Sequence, residues 1–238
     1  DTTDSTHVKG FAESIGDLIH LIRNHTRAKV VLGGSGFTIL PEEWMQRLDA
    51  DFGVIGEGER LPFLLEALEK NDGFEHLPGI IRKGDPVVFP EPWPGTFHRG
   101  PFPNHPYTSF YLQRGGMLNL QTKRGCPFRC IYCTYPHIEG KTFRFIPPEE
   151  VAATARMLQD AGARYLYITD STFNGDYDHS LAVALAFQEA GVSVPWGAFF
   201  TPTNPPQNYF RQLAEAGLRH VEFGTESLSD PMLEAYRK

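Results

Sequence analysis

Apolar positions along residues 11–70 alternate between two spacings, which predicts helices that alternate with short strands. Within residues 11–23, apolar side chains recur three and four positions apart, a spacing typical of a helix with one buried face. Continuous apolar runs at residues 30–32 and 52–55 predict buried strands, and further helices are predicted over residues 41–48 and 61–68. This order predicts an α/β unit with parallel strands that is incomplete by itself.

A second alternating series begins at residue 118. One strand and one helix recur about every 25 to 45 residues, which is typical of a βα barrel. Each predicted helix is followed by a glycine, as helix ends commonly are. Only four strands fit, so the barrel is expected to be open or truncated. The predicted strands span residues 118–122, 165–169, 194–200 and 220–224, and the helices span 148–161, 179–190 and 207–216.

The stretch between the two series has a different composition. The segments 79–82 and 87–89, which contain Ile80-Ile81 and Val87-Val88-Phe89, flank the turn Gly84-Asp85, which predicts a β-hairpin. Residues 90–106 are rich in proline, which predicts a connection without regular secondary structure.

Composition narrows the classes of protein to consider. The 238 residues are 41% hydrophobic and 21% charged, as expected of a globular protein with apolar cores. A net charge of −7 argues against non-specific nucleic-acid binding, and no apolar stretch is long enough to span a membrane. No signal-peptide pattern is present, and the polar residues 1–6 are expected to form a loop within a domain that began earlier.

All three cysteines of the chain lie within eight residues of one another. This distribution indicates a metal site in a reducing compartment, the cytoplasm, rather than a disulfide framework. Cys126, Cys130 and Cys133 follow a predicted strand directly, at the strand end where barrels place their chemistry. Three thiolates can bind three irons of a [4Fe–4S] cluster and leave the fourth iron open. The alternative is a structural zinc site with His137 as the fourth ligand.

The spacing C-x-x-x-C-x-x-C, with the aromatic Tyr132 before the last cysteine, resembles the radical S-adenosylmethionine (SAM) superfamily. The resemblance implies that the open iron binds the amino and carboxylate groups of SAM, with Tyr132 at the SAM site. It also implies that electron transfer then releases a 5′-deoxyadenosyl radical. Lys123 and Arg124 could balance the negative charge of the cluster, although solvation is the default for basic side chains.

Polar residues after two of the predicted strands resemble SAM-binding segments of the same family. Asp170 and Ser171 follow the second strand, and Gly224 and Glu226 follow the fourth. The alternative for each carboxylate is a helix cap or a salt bridge. Alternation along the fourth strand directs its apolar side chains toward the helices and Glu222 toward the barrel interior.

Two glycine turns near the amino terminus extend the resemblance. Gly33-Gly34-Ser35-Gly36 and Gly56-Glu57-Gly58 each follow a predicted strand, and either could be a simple strand-to-helix turn. Two such turns followed by a radical SAM barrel resemble the arrangement in cobalamin-binding radical SAM enzymes. This resemblance implies that the residues of the turns contact a corrinoid. The Asp-x-His-x-x-Gly loop that supplies an axial histidine in many cobalamin proteins is absent. Either that loop precedes Asp1 or the cobalt has no histidine ligand.

The resemblance implies an incomplete Rossmann-like cobalamin-binding domain at residues 1–78. A hairpin and linker follow at 79–116, and a partial radical SAM barrel at 117–238 is incomplete at its carboxyl end. It further implies a methyltransferase that acts on an unactivated carbon of a small-molecule, lipid or peptide substrate and receives electrons from an external one-electron reductant. The alternatives are a radical SAM enzyme without methyl transfer (a cyclase, oxidase or methylthiotransferase) and a non-catalytic metal-binding module. Catalytic side chains are not identified from the sequence.

Overall fold

A computed structural model of the chain describes residues 10–74, 76–94 and 106–238. The α/β class predicted from the sequence is confirmed. The chain divides into two compact units, the first formed by residues 1–95 with 137–139 and the second by residues 96–136 with 140–238. The polar opening string and residues 95–105 of the predicted proline-rich connection lie outside the described residues.

The first unit contains a three-stranded sheet. β1 pairs with β2 in parallel and β2 pairs with β3 in antiparallel orientation, in the order β1-β2-β3. Buried side chains of α1, α2 and α3 pack with residues in or beside the strands into one apolar core, which includes Ile19, Val30, Phe37, Met45, Ile55 and Ile81. The elements are α1 (Phe11–His25), β1 (Val31–Leu32), α2 (Ser35–Ile39), α3 (Pro41–Arg47), β2 (Phe52–Val54), a 3₁₀ turn (Gly58–Arg60), α4 (Leu61–Lys70) and β3 (Ile80–Ile81).

The predicted hairpin over residues 79–89 is wrong in its second half. Ile80 and Ile81 pair with β2, whereas residues 86–94 form no strand. The turn itself is present, because the Arg82 N–H donates to the Asp85 carboxylate at 2.8 Å. Proline at both ends of the following apolar run removes backbone donors, and a ladder next to β3 would need them.

Asp51 ties the beginning of β2 to the beginning of β1. Its carboxylate accepts hydrogen bonds from the Val30 N–H at 2.8 Å, from Arg23 at 2.7 Å and from Lys29 at 3.0 Å. Burial by itself would raise the pKa of Asp51. These hydrogen bonds outweigh that effect and lower the pKa to about 2.

The second unit contains four parallel strands in the order β4-β7-β8-β9, which confirms the four predicted barrel strands. A two-stranded ribbon, β5 with β6, was not predicted, because two-residue strands are too short to show alternation. The elements are α5 (Pro106–Arg114), β4 (Met117–Leu120), β5 (Lys123–Arg124), α6 (Tyr135–Ile138), β6 (Arg144–Phe145), α7 (Pro148–Asp160), β7 (Tyr165–Ile168), a 3₁₀ turn (Phe173–Gly175), α8 (Tyr177–Glu189), β8 (Trp196–Phe200), α9 (Tyr209–Glu215), β9 (Leu218–Phe223) and α10 (Asp230–Tyr236).

The two faces of the four-stranded sheet differ in chemistry. The face toward α7, α8 and α9 is a buried apolar core that includes Leu166, Ile168 and Trp196. Phe223 packs against the Phe210 ring of α9 on this side, as the alternation along the fourth strand predicted. The opposite face, called here the open face, carries Tyr165, Tyr167, Phe199, His220 and Glu222.

No helix among the described residues is both long enough and apolar enough to cross a lipid bilayer.

Candidate active site: the cysteine loop

The cysteine loop, residues 125–133, leaves the carboxyl-terminal end of the sheet through β5. Gly125 has a φ of +82°, and a Cβ at this position would lie 2.0 Å from the Thr142 carbonyl oxygen. Only glycine fits both conditions. The next N–H, that of Cys126, donates to the Gly140 carbonyl at 3.0 Å, so the loop begins in close contact with the segment between α6 and β6.

All three cysteines are free thiols that line one cavity of about 870 Å³. Cys126 is buried, and Cys130 and Cys133 are half-buried. Burial raises the pKa of the Cys126 thiol. Within the described residues, no three His, Cys, Asp or Glu side chains converge on a single-ion position. A [4Fe–4S] cluster does not require such convergence, because each thiolate binds its own iron, so the three thiols fit a cluster.

The predicted SAM-site residues from three separate segments meet at this cavity. The predicted residues that line it are Cys126, Cys130, Tyr132, Cys133, Asp170, Ser171, Gly224 and Glu226. The segments converge because the carboxyl ends of parallel strands lie at one edge of the sheet.

Asp170 is buried, and both of its carboxylate oxygens accept hydrogen bonds. One carboxylate oxygen accepts the N–H groups of Thr122 at 2.8 Å and Lys123 at 3.3 Å. The other oxygen accepts the Thr122 hydroxyl and the Lys123 ammonium, the latter at 3.0 Å. Asp170 is therefore a salt-bridged carboxylate, the alternative that the sequence left open, and it fixes the backbone that leads into the cysteine loop.

Lys123 is not solvated, contrary to the default for a basic residue. Its side chain is 0% exposed, and its ammonium donates to Asp170 and to the Phe173 carbonyl at 2.9 Å. The rings of Phe143 and Phe173 lie 5.5 and 5.4 Å from the nitrogen. A buried ammonium requires these partners, since an unpaired charge in an apolar interior is strongly destabilising.

Ser171 connects the end of β7 to the start of the loop. Its hydroxyl donates to the Gly125 carbonyl at 3.1 Å and also contacts the Cys126 thiol. This hydroxyl therefore supports the first cysteine from the side of the cavity where the sequence predicted a SAM contact.

The far end of the loop contacts the segment after β9. The Lys238 ammonium donates to a Glu226 carboxylate oxygen at 2.8 Å and to the Tyr132 hydroxyl at 3.2 Å. Burial and the contact with Glu226 raise the pKa of Tyr132 to about 12, against the opposing effect of Lys238. Lys238 was missed by sequence reasoning, because nothing local marks a lysine 106 positions from its phenol partner.

On the open face, Glu222 accepts a hydrogen bond from the Tyr167 hydroxyl at 3.0 Å. Burial and this carboxylate raise the pKa of Tyr167. The Tyr167 ring meets the Phe199 ring edge-on at 5.5 Å, and Phe199 also lines the cavity. An aromatic and carboxylate surface thus continues from the cavity along the sheet, as the alternation at Glu222 predicted.

In the first unit, the two predicted cobalamin turns follow the parallel strands β1 and β2 and so lie at one edge of that sheet. Gly33 and Gly34 form the turn after β1, and Ser35 and Gly36 begin the short helix α2, so that part of the predicted turn is helical. Among the described residues, no atom would lie within 4 Å of a Cβ placed on Gly34, Gly36 or Gly58. These positions leave open space in which a ligand could approach the backbone.

The second turn is held from inside the unit. The Gly56 N–H donates to the Thr38 hydroxyl at 2.9 Å. Glu57 is buried, and its carboxylate accepts the Trp93 N–H at 2.7 Å. The Glu57 carboxylate therefore holds the segment around Trp93, which the sequence did not predict.

Comparison with known proteins identifies the family to which the second half of the chain is similar. The family model described as "Radical SAM superfamily" matches residues 120–238, half of the chain. Tryptophan 2-C-methyltransferase of Streptomyces laurentii is 23% identical over a match that covers 100% of this chain and 50% of that protein. An uncharacterized methyltransferase of Pyrococcus horikoshii is 28% identical over 86% of this chain and 47% of its own length.

Solved structures of the radical SAM methyltransferase TsrM from Kitasatospora setae share the fold. One, with tryptophan and a SAM analog bound, has a TM-score of 0.85 at 24% identity and covers 100% of this chain and 48% of TsrM. Another, with cobalamin and a [4Fe–4S] cluster bound, has a TM-score of 0.86 at 23% identity, with 100% and 50% covered. The chain spans about half the length of the relatives it matches.

Proposed function

Because the chain belongs to the radical SAM superfamily, we propose that it is the cofactor-binding part of a cobalamin-dependent radical SAM methyltransferase. The observation that carries this proposal is the convergence of three free thiols, Ser171 and the segment after β9 on one cavity. When bound, the cluster and SAM would supply radical chemistry, and cobalamin would supply the methyl group.

The chain's own residues would hold these groups. Cys126, Cys130 and Cys133 would bind three irons and leave the fourth open to the cavity. Ser171 and Gly125 keep the first cysteine in place through the hydrogen bond between them. Around the open iron, the walls formed by Tyr132, Ser171, Gly224 and Glu226 would orient SAM and limit access of water. Asp170 would act through the backbone that it fixes.

In the first unit, the corrinoid would lie against the two glycine turns. The open space at Gly34, Gly36 and Gly58 supports this placement, because the residues that the structure describes do not fill it. Glu57 would act on the turn through its bond to the Trp93 N–H rather than by direct contact with the corrinoid.

Anaerobic reconstitution with iron, sulfide and hydroxocobalamin tests the cluster and the corrinoid separately. We expect about four irons per chain, a reduced-cluster electron paramagnetic resonance (EPR) signal that changes on addition of SAM, and corrinoid absorbance that stays with the protein. Cys130→Ala should abolish the cluster signal. A zinc-loaded protein without this signal would contradict the proposal and support a passive metal module.

A variant of the first glycine turn tests whether the corrinoid lies against this turn. Gly36→Leu should leave the protein folded, because its side chain enters open space, and should reduce corrinoid binding at least tenfold. Ser14→Leu, at an exposed position on α1, is the matched control. If Gly36→Leu binds the corrinoid as well as the parent protein does, this glycine turn is not part of the corrinoid site. SAM cleavage without any bound corrinoid would favour a radical SAM enzyme that does not transfer methyl groups.

We further propose a small-molecule substrate, an external one-electron reductant and a cytoplasmic location. An oxygen-sensitive cluster with an open iron needs a reducing compartment and a source of electrons. Methylated product, formed by the whole protein with a chemical reductant in place of the natural one, would test this assignment.

A further inference from the structure

The loop end that carries Cys130 and Cys133 is held by α10 and the residue after its cap. The Ile131 N–H donates to the Tyr236 carbonyl at 3.0 Å, and the Tyr132 and Tyr236 rings meet edge-on at 5.8 Å. The Lys238 ammonium then joins the Tyr132 hydroxyl to Glu226. This arrangement of Tyr132, Glu226 and Lys238, called here the loop clamp, connects three segments that are distant in sequence.

The loop clamp is charged at neutral pH. The hydrogen bonds from Lys238 and Tyr132 lower the pKa of Glu226. Burial opposes the charge on Lys238, but its bonds to Glu226 and Tyr132 outweigh burial and raise its pKa. The side chains of Lys238 and Glu226 are 17% and 32% exposed, so solvent screens this ion pair less than a surface pair.

Local backbone geometry is arranged around this ion pair. Glu226 has a φ of +58°, a left-handed conformation that is uncommon for a residue other than glycine and needs support from its surroundings. A Cβ on Gly224 would lie 3.2 Å from the Glu226 carboxylate and 3.3 Å from the Lys238 ammonium. The absence of a side chain at Gly224 therefore leaves the room that the pair occupies.

We propose that Lys238 is a positioning residue for the SAM site: it orients Tyr132 and Glu226 on the cavity wall, so that SAM binding depends on its charge while cluster assembly does not. This inference rests on the proposed function. The division follows from how the loop is held. Backbone bonds fix Cys126 at its start and Ile131 near its end without the Lys238 side chain, whereas the Tyr132 hydroxyl is bound by Lys238.

The test compares Lys238→Met with Lys238→Arg in the reconstituted protein. Lys70→Met is the matched control, because Lys70 forms an exposed ion pair with Glu66 in the other unit. We expect all variants to bind iron within about twofold of the parent protein. Lys238→Met should weaken SAM binding, measured by equilibrium dialysis, by about tenfold, as expected for loss of one charged hydrogen-bond network. Lys238→Arg should restore it to within about threefold.

Two further measurements separate positioning from general destabilisation. The change that SAM produces in the EPR spectrum of the reduced cluster should be smaller or differently shaped in Lys238→Met and normal in Lys238→Arg. In the cluster-free protein, hydrogen exchange at the Ile131 amide should be about tenfold faster in Lys238→Met, because that amide bonds to the clamped segment.

A double-variant cycle tests whether the clamp acts as a unit. Glu226→Gln and Lys238→Met together should weaken SAM binding no more than the worse single variant. Parent-like SAM affinity in Lys238→Met, or failure of Lys238→Arg to restore affinity, would overturn the inference and leave the proposed function standing. A parent protein that assembles the cluster but does not bind SAM would instead overturn the proposed function, and the inference with it.

Discussion

Two aspartates tie neighbouring strands together in the two units of the chain, and they do so at opposite ends of those strands. Asp51 precedes β2 and accepts the N–H of Val30, the residue before β1. Asp170 lies two residues beyond β7 and accepts the N–H of Thr122, two residues beyond β4. The side chain of Lys29, the lysine partner of Asp51, is 64% exposed, whereas the lysine partner of Asp170 is fully buried.

The Asp51 and Asp170 networks differ because the two ends of the strands have different roles. At the amino-terminal ends, Asp51 contributes to stability, and partners that are partly or largely exposed are sufficient for this role. At the carboxyl-terminal ends, the Asp170 network also fixes the first residues of a loop that carries chemistry. A buried pair holds its members in one arrangement, because any opening leaves an uncompensated charge. The cysteine loop is therefore preorganised at its start by interior electrostatics.

The largest effect is expected from Asp170→Ala, which leaves the Lys123 ammonium buried without its carboxylate. The free energy of unfolding should fall by about 3–5 kcal/mol. Urea denaturation of the cluster-free protein measures it. Adding Lys123→Met to Asp170→Ala should recover part of the loss, since no buried charge then remains. Equal losses in the single and double variants would show that the buried charge is not the cause.

Gly125→Ala should have the next largest effect. The new Cβ would overlap the Thr142 carbonyl and force alanine into a left-handed conformation, which together cost about 3 kcal/mol. Iron content after reconstitution should also fall, because the new side chain would displace the start of the cysteine loop. Gly115→Ala is the control, since a Cβ there makes only ordinary contacts of 3.8 Å. Full iron loading by Gly125→Ala would mean that the loop start does not position the cluster.

The Asp51 network should produce a smaller, pH-dependent effect. Because the folded pKa is lowered to about 2, the carboxylate stabilises the fold above its unfolded pKa, and this contribution disappears as the pH falls from about 4 to 2. Asp51→Asn should therefore be less stable than the parent by about 2 kcal/mol at pH 7, with the difference closing toward pH 2. Urea denaturation at several pH values measures both.

Lys29→Met tests how much a single exposed partner contributes to the Asp51 network. Removal of this exposed partner should change stability by less than about 1 kcal/mol, because surface ion pairs contribute little. A loss as large as that of Asp170→Ala would remove the contrast between the solvated and the buried network.

The sequence predicted the elements of the second unit well because their signals are local. Each barrel helix ends at a glycine with positive φ, namely Gly162, Gly191 and Gly217, and the strand that follows begins within a few residues. The hairpin beyond β3 was predicted wrongly because apolar character at Val88 and Phe89 was interpreted as pairing, although both side chains are more than half exposed. Apolar residues do not by themselves identify a strand partner.

Two kinds of signal in the sequence predicted the candidate site. Cys126, Cys130 and Cys133 could be proposed as cluster ligands because one loop contains all three, and the SAM-site candidates could be proposed because they follow predicted strands. The burial of Lys123 and the clamp contact of Lys238 depend on partners 47 and 106 residues away, and no local pattern records such pairs. The same limit applies to Glu57, whose partner lies 36 residues further along the chain.

The open face of the second sheet suggests how proteins of this design diverge. Tyr167, Phe199 and Glu222 interact with one another, but their side chains take no part in the Asp170 network or in the helix-facing core. Substitutions there can accumulate without loosening the cysteine loop. Change on the open face and constraint at the strand ends can therefore proceed separately during evolution.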